Sequence, residues 1–313
     1  MNKILKDKSF QLSITLTTIF IGTGIVFLFL GLVDYSWILF ILLPVVLGVA
    51  IGSIEARKYA MLGSFVATFL LLIGLIIPGL SGVICIAMAI GLVMPFLFLG
   101  YVIIRLVKRY KQIKDSNRFS VLLLPLIPFL IAAPTEHFLK KDKQSIIEVK
   151  TEQVFNYSPE QVYDAIKSVD TLDAEKPMLL KFDLPIPTKC ILEKEEKGAL
   201  RTCYFKGGRL SHADFGGGTI TERVTELERG KVLRMDVIDY NLIGRKWLGF
   251  KEAIYYFDKV GDHSCKLTRI TTYTSVLTPR FYWQPMEELG IRQEHEYVFN
   301  NLEKDLEYKA RRH

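Results

Sequence analysis

Five ionisable residues are candidates for chemistry because the pattern of the sequence places them on one predicted interior face. Successive side chains of a β-strand point to opposite faces of the sheet. Arg201, Glu222, Glu252 and Arg269 each fall in step with apolar residues of their own predicted strand. His295 lies on the apolar stripe of a predicted C-terminal helix. We therefore expect these five side chains to point inward, toward one another.

Such a set of residues can orient the polar group of a ligand or take part in proton transfer. A buried charge is unfavourable unless it is paired, so we expect ion pairs among them. Glu222, Glu252 or His295 could act as acid or base, and Arg201 or Arg269 could stabilise negative charge on a reacting oxygen. The alternative is that some of these charges are solvated strand positions and that His295 is a packed core residue.

Aromatic residues are dense in the same half of the chain. We expect Tyr204, Trp247 and Tyr273 to line an apolar pocket and to contribute a few polar atoms to it. Ordinary core packing is the alternative for each of them.

Cysteine usage argues against a metal site. Cys85, Cys190, Cys203 and Cys265 form no CxxC pair and have no spacing typical of zinc ligands, and no cofactor is expected. Cys190 and Cys203 flank a predicted turn, Glu195–Gly198, and would face each other in a hairpin. A disulfide between them and two buried thiols both remain open interpretations. The chain contains no GxSxG or HExxH motif.

Periodicity in residues 146–313 predicts the elements that hold these residues. A strand at Ile147–Phe155 precedes a helix for which Ser158 and Gln161 can form a capping box. Six more strand patterns and one long amphipathic helix follow. They are Thr188–Glu193, Ala199–Phe205, Thr219–Leu227, Val232–Asp239, Gly249–Phe257, Lys266–Thr274 and the helix Phe281–Tyr308. We therefore predict a curved antiparallel seven-stranded sheet around a long C-terminal helix.

Four sequence motifs of this region resemble a known superfamily. They are YSPEQVYDAI (Tyr157–Ile166), GALRTCYF (Gly198–Phe205), GGGTITERVTE (Gly216–Glu226) and YTSVLTPRFYWQPMEELGIR (Tyr273–Arg292). Through them residues 147–308 resemble the START-like (SRPBCC) superfamily, in particular its polyketide cyclase/dehydrase-like branch with the birch-pollen-allergen fold. The resemblance implies an α+β helix-grip domain with a hydrophobic cavity between sheet and helix. Many relatives bind lipids, sterols or polyketides and a minority are enzymes, so fold alone does not decide the function.

Residues 1–140 form a separate apolar region that carries the whole net charge of +7. The basic residues of this region lie in short connections, which is typical of membrane proteins and does not indicate nucleic-acid binding. Four stretches are long enough to cross a bilayer, and a fifth reaches that length only by including prolines. The predicted spans, an α-helical membrane bundle of four or five helices, are residues 10–33, 36–54, 59–80, 83–107 and 119–139.

The distribution of Lys and Arg predicts a cytoplasmic N-terminus. Five spans would then place the C-terminal domain outside the cytoplasm, and four would leave it inside. No ionisable residue lies in the middle of a predicted span, which argues against ion transport and favours an anchor.

The sequence as a whole predicts a membrane-tethered START-like domain, residues 146–313, that binds a hydrophobic or amphipathic small molecule such as a lipid. The expected partners are the bilayer and that small molecule, and no protein partner is predicted. Two alternatives are a cyclase- or dehydratase-like enzyme for a hydrophobic substrate, and a membrane sensor or assembly module. The last would need an exposed apolar patch.

Overall fold

The chain divides into two compact units, the first built mainly from residues 1–143 and the second mainly from residues 144–313. The computed structural model describes residues 2–55, 58–76, 82–112, 115, 118–139, 144–182, 184–207, 217–242 and 247–311. Residues 77–80 of the third predicted span and Gly216 of the third motif lie outside the described residues.

The first unit is helical. Its helices are α1 (Asn2–Leu5), α2 (Lys8–Phe29), α3 (Leu43–Gly52), α4 (Ala60–Gly74), α5 (Val83–Lys111), α6 (Phe119–Leu123) and α7 (Ile127–Leu139). A π-helical turn, Ile38–Leu42, leads directly into α3, and a 3-10 turn, Leu124–Leu126, joins α6 to α7. Within the described parts of the chain, three continuous helical stretches are long and apolar enough to cross a bilayer: Lys8–Phe29, Val83–Lys111 and Phe119–Leu139.

The prediction of four or five spans therefore exceeds the number of helices that have sufficient length. The second and third predicted spans are the shorter apolar helices Ile38–Gly52 and Ala60–Gly74. The latter has 15 residues, which at about 1.5 Å per residue covers about 22 Å of a roughly 30 Å hydrocarbon core. The fifth predicted stretch does reach span length, because the 3-10 turn accommodates Pro125 and keeps the helix continuous.

Two helices of the first unit, α2 and α4, run side by side in the same direction. A Cβ added at Gly63 would lie 2.2 Å from Ser13 Oγ, so the helices are in close contact there. The hydroxyl of Thr17 donates a hydrogen bond to Ser64 Oγ at 2.9 Å. Small residues and hydroxyl groups are the usual means of bringing apolar helices together in a membrane, because lipid offers no hydrophobic drive for their association.

The helices α3 and α5 also run in parallel. Their backbones approach each other more closely than those of α2 and α4 do. A Cβ at Gly48 would lie 2.0 Å from the carbonyl oxygen of Leu97, and a Cβ at Gly100 would lie 2.0 Å from that of Val45. Gly52, one turn after Gly48, faces α5 in the same way. The spacing of Gly48 and Gly52 is that of a GxxxG motif.

The C-terminal end of α3 is closed by side chains from α5. Arg105 Nη1 donates to the carbonyl oxygen of Gly52 at 3.1 Å, and Lys108 Nζ donates to that of Ser53 at 3.4 Å. Both cations also contact Asp115 Oδ1, at 2.9 and 3.2 Å. The last carbonyls of a helix have no partner inside the helix and carry partial negative charge, so the two cations satisfy them.

The close approach of α3 and α5 generates a testable prediction. We expect Gly48→Leu to destabilise the first unit by about 1–3 kcal/mol or more, because no side chain fits between the two backbones. The measurement is the heat stability of the detergent-solubilised protein. Its readout is the fraction that stays monodisperse on size-exclusion chromatography after heating. Gly22→Leu is the matched control, since a Cβ at Gly22 would meet nothing within 4 Å. Equal stability of the two variants would contradict the assigned helix contact.

In its described residues, the second unit comprises one curved antiparallel sheet and three helices. Its strands are β1 (Ser145–Phe155), β2 (Ile186–Leu192), β3 (Leu200–Lys206), β4 (Gly218–Glu228), β5 (Val232–Leu242), β6 (Leu248–Gly261) and β7 (Ser264–Ser275). They are ordered β1-β7-β6-β5-β4-β3-β2. The helices are α8 (Pro159–Ile166), α9 (Met178–Phe182) and α10 (Arg280–Ala310). The predicted seven-stranded sheet and long C-terminal helix are confirmed.

Local signals explain where these elements begin. Ser158 and Gln161 form the predicted capping box, with Ser158 Oγ accepting from the Gln161 backbone N–H and Gln161 Oε1 accepting from the Ser158 backbone N–H. Pro159 takes the first position of α8, where a backbone N–H is not needed. Gly230 has a φ of +74° in the turn between β4 and β5, a conformation that favours glycine.

The buried face of α10 changes character along its length. Its C-terminal half packs Phe299, Leu302 and Leu306 into the main apolar cluster of the sheet. Nearer its N-terminus, Ile291 belongs to a smaller apolar cluster with Tyr273. His295 is fully buried and lies one helical turn after Ile291 and one turn before Phe299. The helix therefore holds a polar band between two apolar regions, and that band positions the candidate site.

Candidate functional site

Four of the five predicted inward residues lie on the concave side of the sheet. Arg201 and His295 are almost completely buried, Glu222 is buried and Arg269 is nearly so. The burial patterns of β3 and β4 place Arg201 and Glu222 on the predicted side, and the contact with Glu294 of α10 places Arg269 there.

Glu252 is the exception, and its predicted inward orientation is wrong. A β-bulge between Phe250 and Glu252 inserts one residue, which reverses the alternation for the rest of β6. Glu252 Oε1 accepts from Arg234 Nη1 at 3.3 Å on the outer face of the sheet. The same shift directs Tyr255 toward the concave side. Tyr255 was not among the predicted site residues.

Arg201 and Glu222 form the most buried ion pair among the described residues. The two residues lie directly opposite each other on β3 and β4. Arg201 Nη1 lies 3.1 Å from Glu222 Oε2, and the side chains are 3% and 9% exposed. Arg201 Nη2 also donates to the carbonyl oxygen of Ile166, at 3.2 Å. The pair thus connects two strands and the end of α8.

A second pair, Arg269 with Glu294, joins β7 to α10. Arg269 Nη1 donates to Glu294 Oε1 at 3.2 Å, and its Nη2 lies 2.9 Å from Glu294 Oε2. This two-pronged geometry is the strongest that an arginine and a carboxylate adopt. Glu294 was missed in the sequence analysis because only the apolar stripe of the helix was used to find inward residues.

The buried ring of Tyr255 is close to both arginines. Its centroid lies 5.8 Å from Arg201 Cζ and 5.5 Å from Arg269 Cζ. Burial by itself would lower the pKa of Arg201, but Tyr255 and Glu222 outweigh it and the net shift is upward. Burial would also lower the pKa of Arg269. The interactions with Glu294 and Tyr255 outweigh this effect, so the pKa of Arg269 is raised. Both guanidinium groups therefore stay charged.

His295 is held by two hydroxyl groups. Its Nε2 lies 2.8 Å from Thr271 Oγ1, and its Nδ1 lies 2.9 Å from Thr151 Oγ1. Burial, followed by the charges of Arg269 and Arg292, lowers the pKa of His295 well below its ordinary value. A neutral imidazole with both nitrogens engaged bridges β1, β7 and α10 and is poorly suited to proton transfer near neutral pH.

A third polar group surrounds Glu287 at the N-terminal end of α10. Glu287 accepts from Tyr273 Oη at 3.1 Å, from Ser275 Oγ at 2.7 Å and from Arg280 Nη2 at 2.7 Å. Burial and the charge of Glu287 raise the pKa of Tyr273. Tyr273 is therefore inward as predicted, but its hydroxyl is committed to a carboxylate.

Two predicted pocket residues lie elsewhere. Tyr204 follows Cys203 on β3 and so points to the opposite face, where it is 38% exposed. The ammonium group of Lys189 lies 4.4 Å from the centre of the Tyr204 ring. Trp247 is half-buried in the turn before β6. The assignment of Tyr204 to an interior pocket was wrong because its alternation relative to Arg201 was not applied.

Cys190 and Cys203 face each other on β2 and β3 and are joined by a disulfide, with 4.0 Å between their Cα atoms. Of the two interpretations left open by the sequence, the disulfide is the one observed. Cys203 Sγ lies 4.0 Å from Glu222 Oε2, so the bridge borders the Arg201–Glu222 pair. Cys85 and Cys265 are not part of this disulfide, and burial raises the pKa of Cys265 to about 11.

The order of the strands and the placement of α10 in their concavity are those expected from the sequence motifs. The second unit has the helix-grip architecture that these motifs predict, a curved antiparallel sheet around a long C-terminal helix. Solved structures with a similar outline include protein Ms6760 from Mycobacterium smegmatis, at 12% identity over 54% of this chain and 98% of that chain, with a TM-score of 0.36. The ZhuI aromatase/cyclase from Streptomyces sp. R1128 is 12% identical over 53% and 96%, with a TM-score of 0.37.

A third such structure is a norcoclaurine synthase variant from Thalictrum, bound to a transition-state analogue. It is 13% identical over 54% of this chain and 99% of that chain, with a TM-score of 0.34. At this level of identity the likeness is one of fold alone. No protein-family model and no curated protein matches the chain.

The helix-grip interior offers hydrogen-bond donors more than acceptors. The Nε atoms of Arg201 and Arg269 are both buried and make no hydrogen bond to any described part of the protein. The carboxylates of Glu222 and Glu294 are engaged by these same arginines. Each of the two arginines near Tyr255 therefore keeps one buried donor without a partner among the described residues.

The Arg201–Glu222 pair generates a prediction about stability. We expect Arg201→Met to cost about 3–5 kcal/mol, because Glu222 would remain buried without its cation. The double variant Arg201→Met/Glu222→Met should recover most of that loss, since it removes both charges. The measurement is the melting temperature of the second unit within the full chain, by near-ultraviolet circular dichroism, where the single variant should lose roughly 10 °C.

The matched control is Arg234→Met, whose pair with Glu252 is half-exposed on the outer face of the sheet. An exposed pair contributes less than about 1 kcal/mol. A double variant as unstable as Arg201→Met alone would show that the two charges are not coupled as described.

Proposed function

We propose that the second unit is a membrane-tethered START-like domain that binds a hydrophobic or amphipathic small molecule, such as a lipid, on its concave face. The apolar part of the ligand would contact the two apolar clusters along α10. Its polar end would lie beside Arg201, Tyr255 and Arg269. The observation that carries the proposal is the pair of buried guanidinium Nε atoms without a hydrogen-bond partner among the described residues.

The energetics of the buried charges supports a functional role for them. Burying an ion pair is often no more stabilising than packing apolar residues of the same volume in its place. Arg201–Glu222 and Arg269–Glu294 are both buried where they interrupt an apolar core. Two such interruptions in one concavity are more readily explained by recognition of a polar group than by stability.

The apolar helices of the first unit suggest how the domain meets its ligand. Three of them are long and apolar enough to cross a bilayer. Attachment to a membrane would raise the effective concentration of the binding site near lipid. Ionisable contacts described for this unit, such as those of Asp115 and the pair of His137 with Asp34, lie at helix ends. This arrangement supports an anchor in preference to an ion pathway.

The proposal places the second unit outside the cytoplasm. Basic residues cluster at the end of the bundle where α5 finishes, beside the end of α3. The last helix, α7, ends beside the connection that follows α2, where His137 Nδ1 lies 3.1 Å from Asp34 Oδ1. The chain crosses the bilayer five times if α3 and α4 both cross it and three times if neither does. Either number is odd, so the second unit would lie on the side opposite the N-terminus. The Cys190–Cys203 disulfide also suits an oxidising compartment.

The enzyme alternative has less support. Glu252 lies on the outer face, Glu222 is committed to Arg201, and both nitrogens of His295 are held by threonines. A general acid or base needs access to the substrate and a suitable pKa. None of the three predicted acid–base candidates meets these conditions in this arrangement.

Ligand binding is tested by extracting the full chain, in a mild detergent, and identifying bound lipids by mass spectrometry. We expect a bound hydrophobic compound in the wild-type protein and at least about a tenfold loss in Arg201→Met/Glu222→Met, which removes roughly 1.4 kcal/mol or more of binding free energy. The control, Arg234→Met/Glu252→Met, removes the same residue types from the outer face and should retain the compound. Equal occupancy in the two double variants would exclude the concave face as the site.

The side of the membrane is tested through the thiols. Because Cys265 is buried in the folded protein, the membranes are denatured in the presence of an alkylating reagent, and the adducts are counted by mass spectrometry. We expect modification only of Cys85 and Cys265 before reduction, and of Cys190 and Cys203 as well after it. Modification of all four cysteines without reduction would contradict both the disulfide in the cell and the oxidising compartment.

A further inference from the structure

The charges around Tyr255 restrict the kind of polar group that a ligand can place there. Arg201 and Arg269 contribute two positive charges, and Glu222 and Glu294 contribute two negative charges within contact distance. His295 belongs to the same polar band and is neutral, because burial and the charges of Arg269 and Arg292 lower its pKa. The buried cluster is therefore already electrically balanced before any ligand enters.

The hydrogen-bonding capacity of the cluster is not balanced in the same way. Both carboxylates accept from arginines, and both nitrogens of His295 are engaged by Thr271 and Thr151. Among the described residues of this band, the buried polar atoms without a partner are the Nε donors of Arg201 and Arg269. A ligand group that accepts hydrogen bonds would satisfy them, whereas an ammonium group would bring only further donors.

From these two facts we infer that the concave face selects an uncharged, carbonyl-bearing lipid or similar compound, such as an ester or ketone, over lipids with an anionic or cationic polar group at that position. A neutral carbonyl oxygen accepts hydrogen bonds from the Nε groups of Arg201 and Arg269 without adding charge. A carboxylate, phosphate or sulfonate would bring one buried negative charge without a counter-charge, which is unfavourable in a region removed from water. The inference rests on the proposed function and names the ligand class for the same site.

The selectivity can be measured with three photoreactive probes that share one alkyl chain and one diazirine. They end in a methyl ester, a sulfonate and a trimethylammonium group, and the last two keep their charge at every pH. The full chain is placed in phosphatidylcholine nanodiscs, irradiated with each probe, and digested. Adducts on α2 and α5 report the amount of probe in the bilayer, and adducts on β3, β6, β7 and α10 report the site.

We expect the ester to label the site at least about tenfold more than either charged probe, after this normalisation. Glu222→Gln leaves the cluster with one excess positive charge while keeping a side chain that Arg201 can contact. Labelling by the sulfonate, relative to the ester, should then rise about tenfold or more. Glu294→Gln changes the charge equally at a more exposed carboxylate, and it provides the same test if Glu222→Gln does not fold.

Two results would overturn the inference and are distinguishable from failure of the proposed function. If the sulfonate labels the wild-type site as strongly as the ester, the ligand class is wrong although the site binds hydrophobic compounds. If neither glutamine variant shifts the preference toward the sulfonate, the charge balance does not select the ligand. If none of the three probes labels the concave elements above the level on outer-face peptides, the proposed function itself is wrong.

Discussion

The need to neutralise two arginines inside an apolar concavity governs the architecture of the second unit. A buried guanidinium without a counter-charge would cost several kcal/mol, so each arginine requires a carboxylate at a fixed distance. The two carboxylates come from different kinds of element. Glu222 is supplied by the strand beside Arg201, whereas Glu294 is supplied by α10 and faces Arg269. One pair therefore stabilises the sheet, and the other holds the helix against it.

This polar band also sets the register of α10. Apolar side chains tolerate small shifts, because contacts of similar energy can form at neighbouring positions. The hydrogen bonds of His295 to Thr151 and Thr271, and the two-pronged contact of Glu294, cannot be kept if the helix moves by one turn. Glu287 acts in the same way toward Tyr273 and Ser275. The position of the long helix is thus specified by polar contacts, and its stability comes mainly from the apolar clusters on either side.

Much of this fold could be predicted because it is expressed in local periodicity. The seven strands and the long helix follow from alternation and from the apolar stripe, and the capping box marks the start of α8. The interior side of β3, β4 and β7 followed from alternation too. The same rule failed on β6, because the bulge after Phe250 depends on pairing with β7 and leaves no mark in the sequence. Glu252 was therefore assigned to the interior in place of Tyr255.

Other features were not predictable for related reasons. Glu287 and Glu294 lie on a helix that was judged only by its apolar residues, and a buried glutamate is recognisable only when its arginine partner is known. Glycine is common in membrane helices, so Gly48 and Gly100 stand out only through the backbone that each one meets. The length of α3 and α4 was overestimated because an apolar stretch continues past the residues that end the helix.

The two units apply opposite solutions to the problem of polar groups in apolar surroundings, and the contrast indicates where ligand chemistry can reside. In the first unit, α3 and α5 approach through glycines, and the cations Arg105 and Lys108 are used at a helix end, where they satisfy backbone carbonyls. These charges are consumed by the helix that they close. In the second unit, the charges of Arg201 and Arg269 lie in the middle of the core and retain unused donors. The proposed function assigns these donors to a ligand that accepts hydrogen bonds.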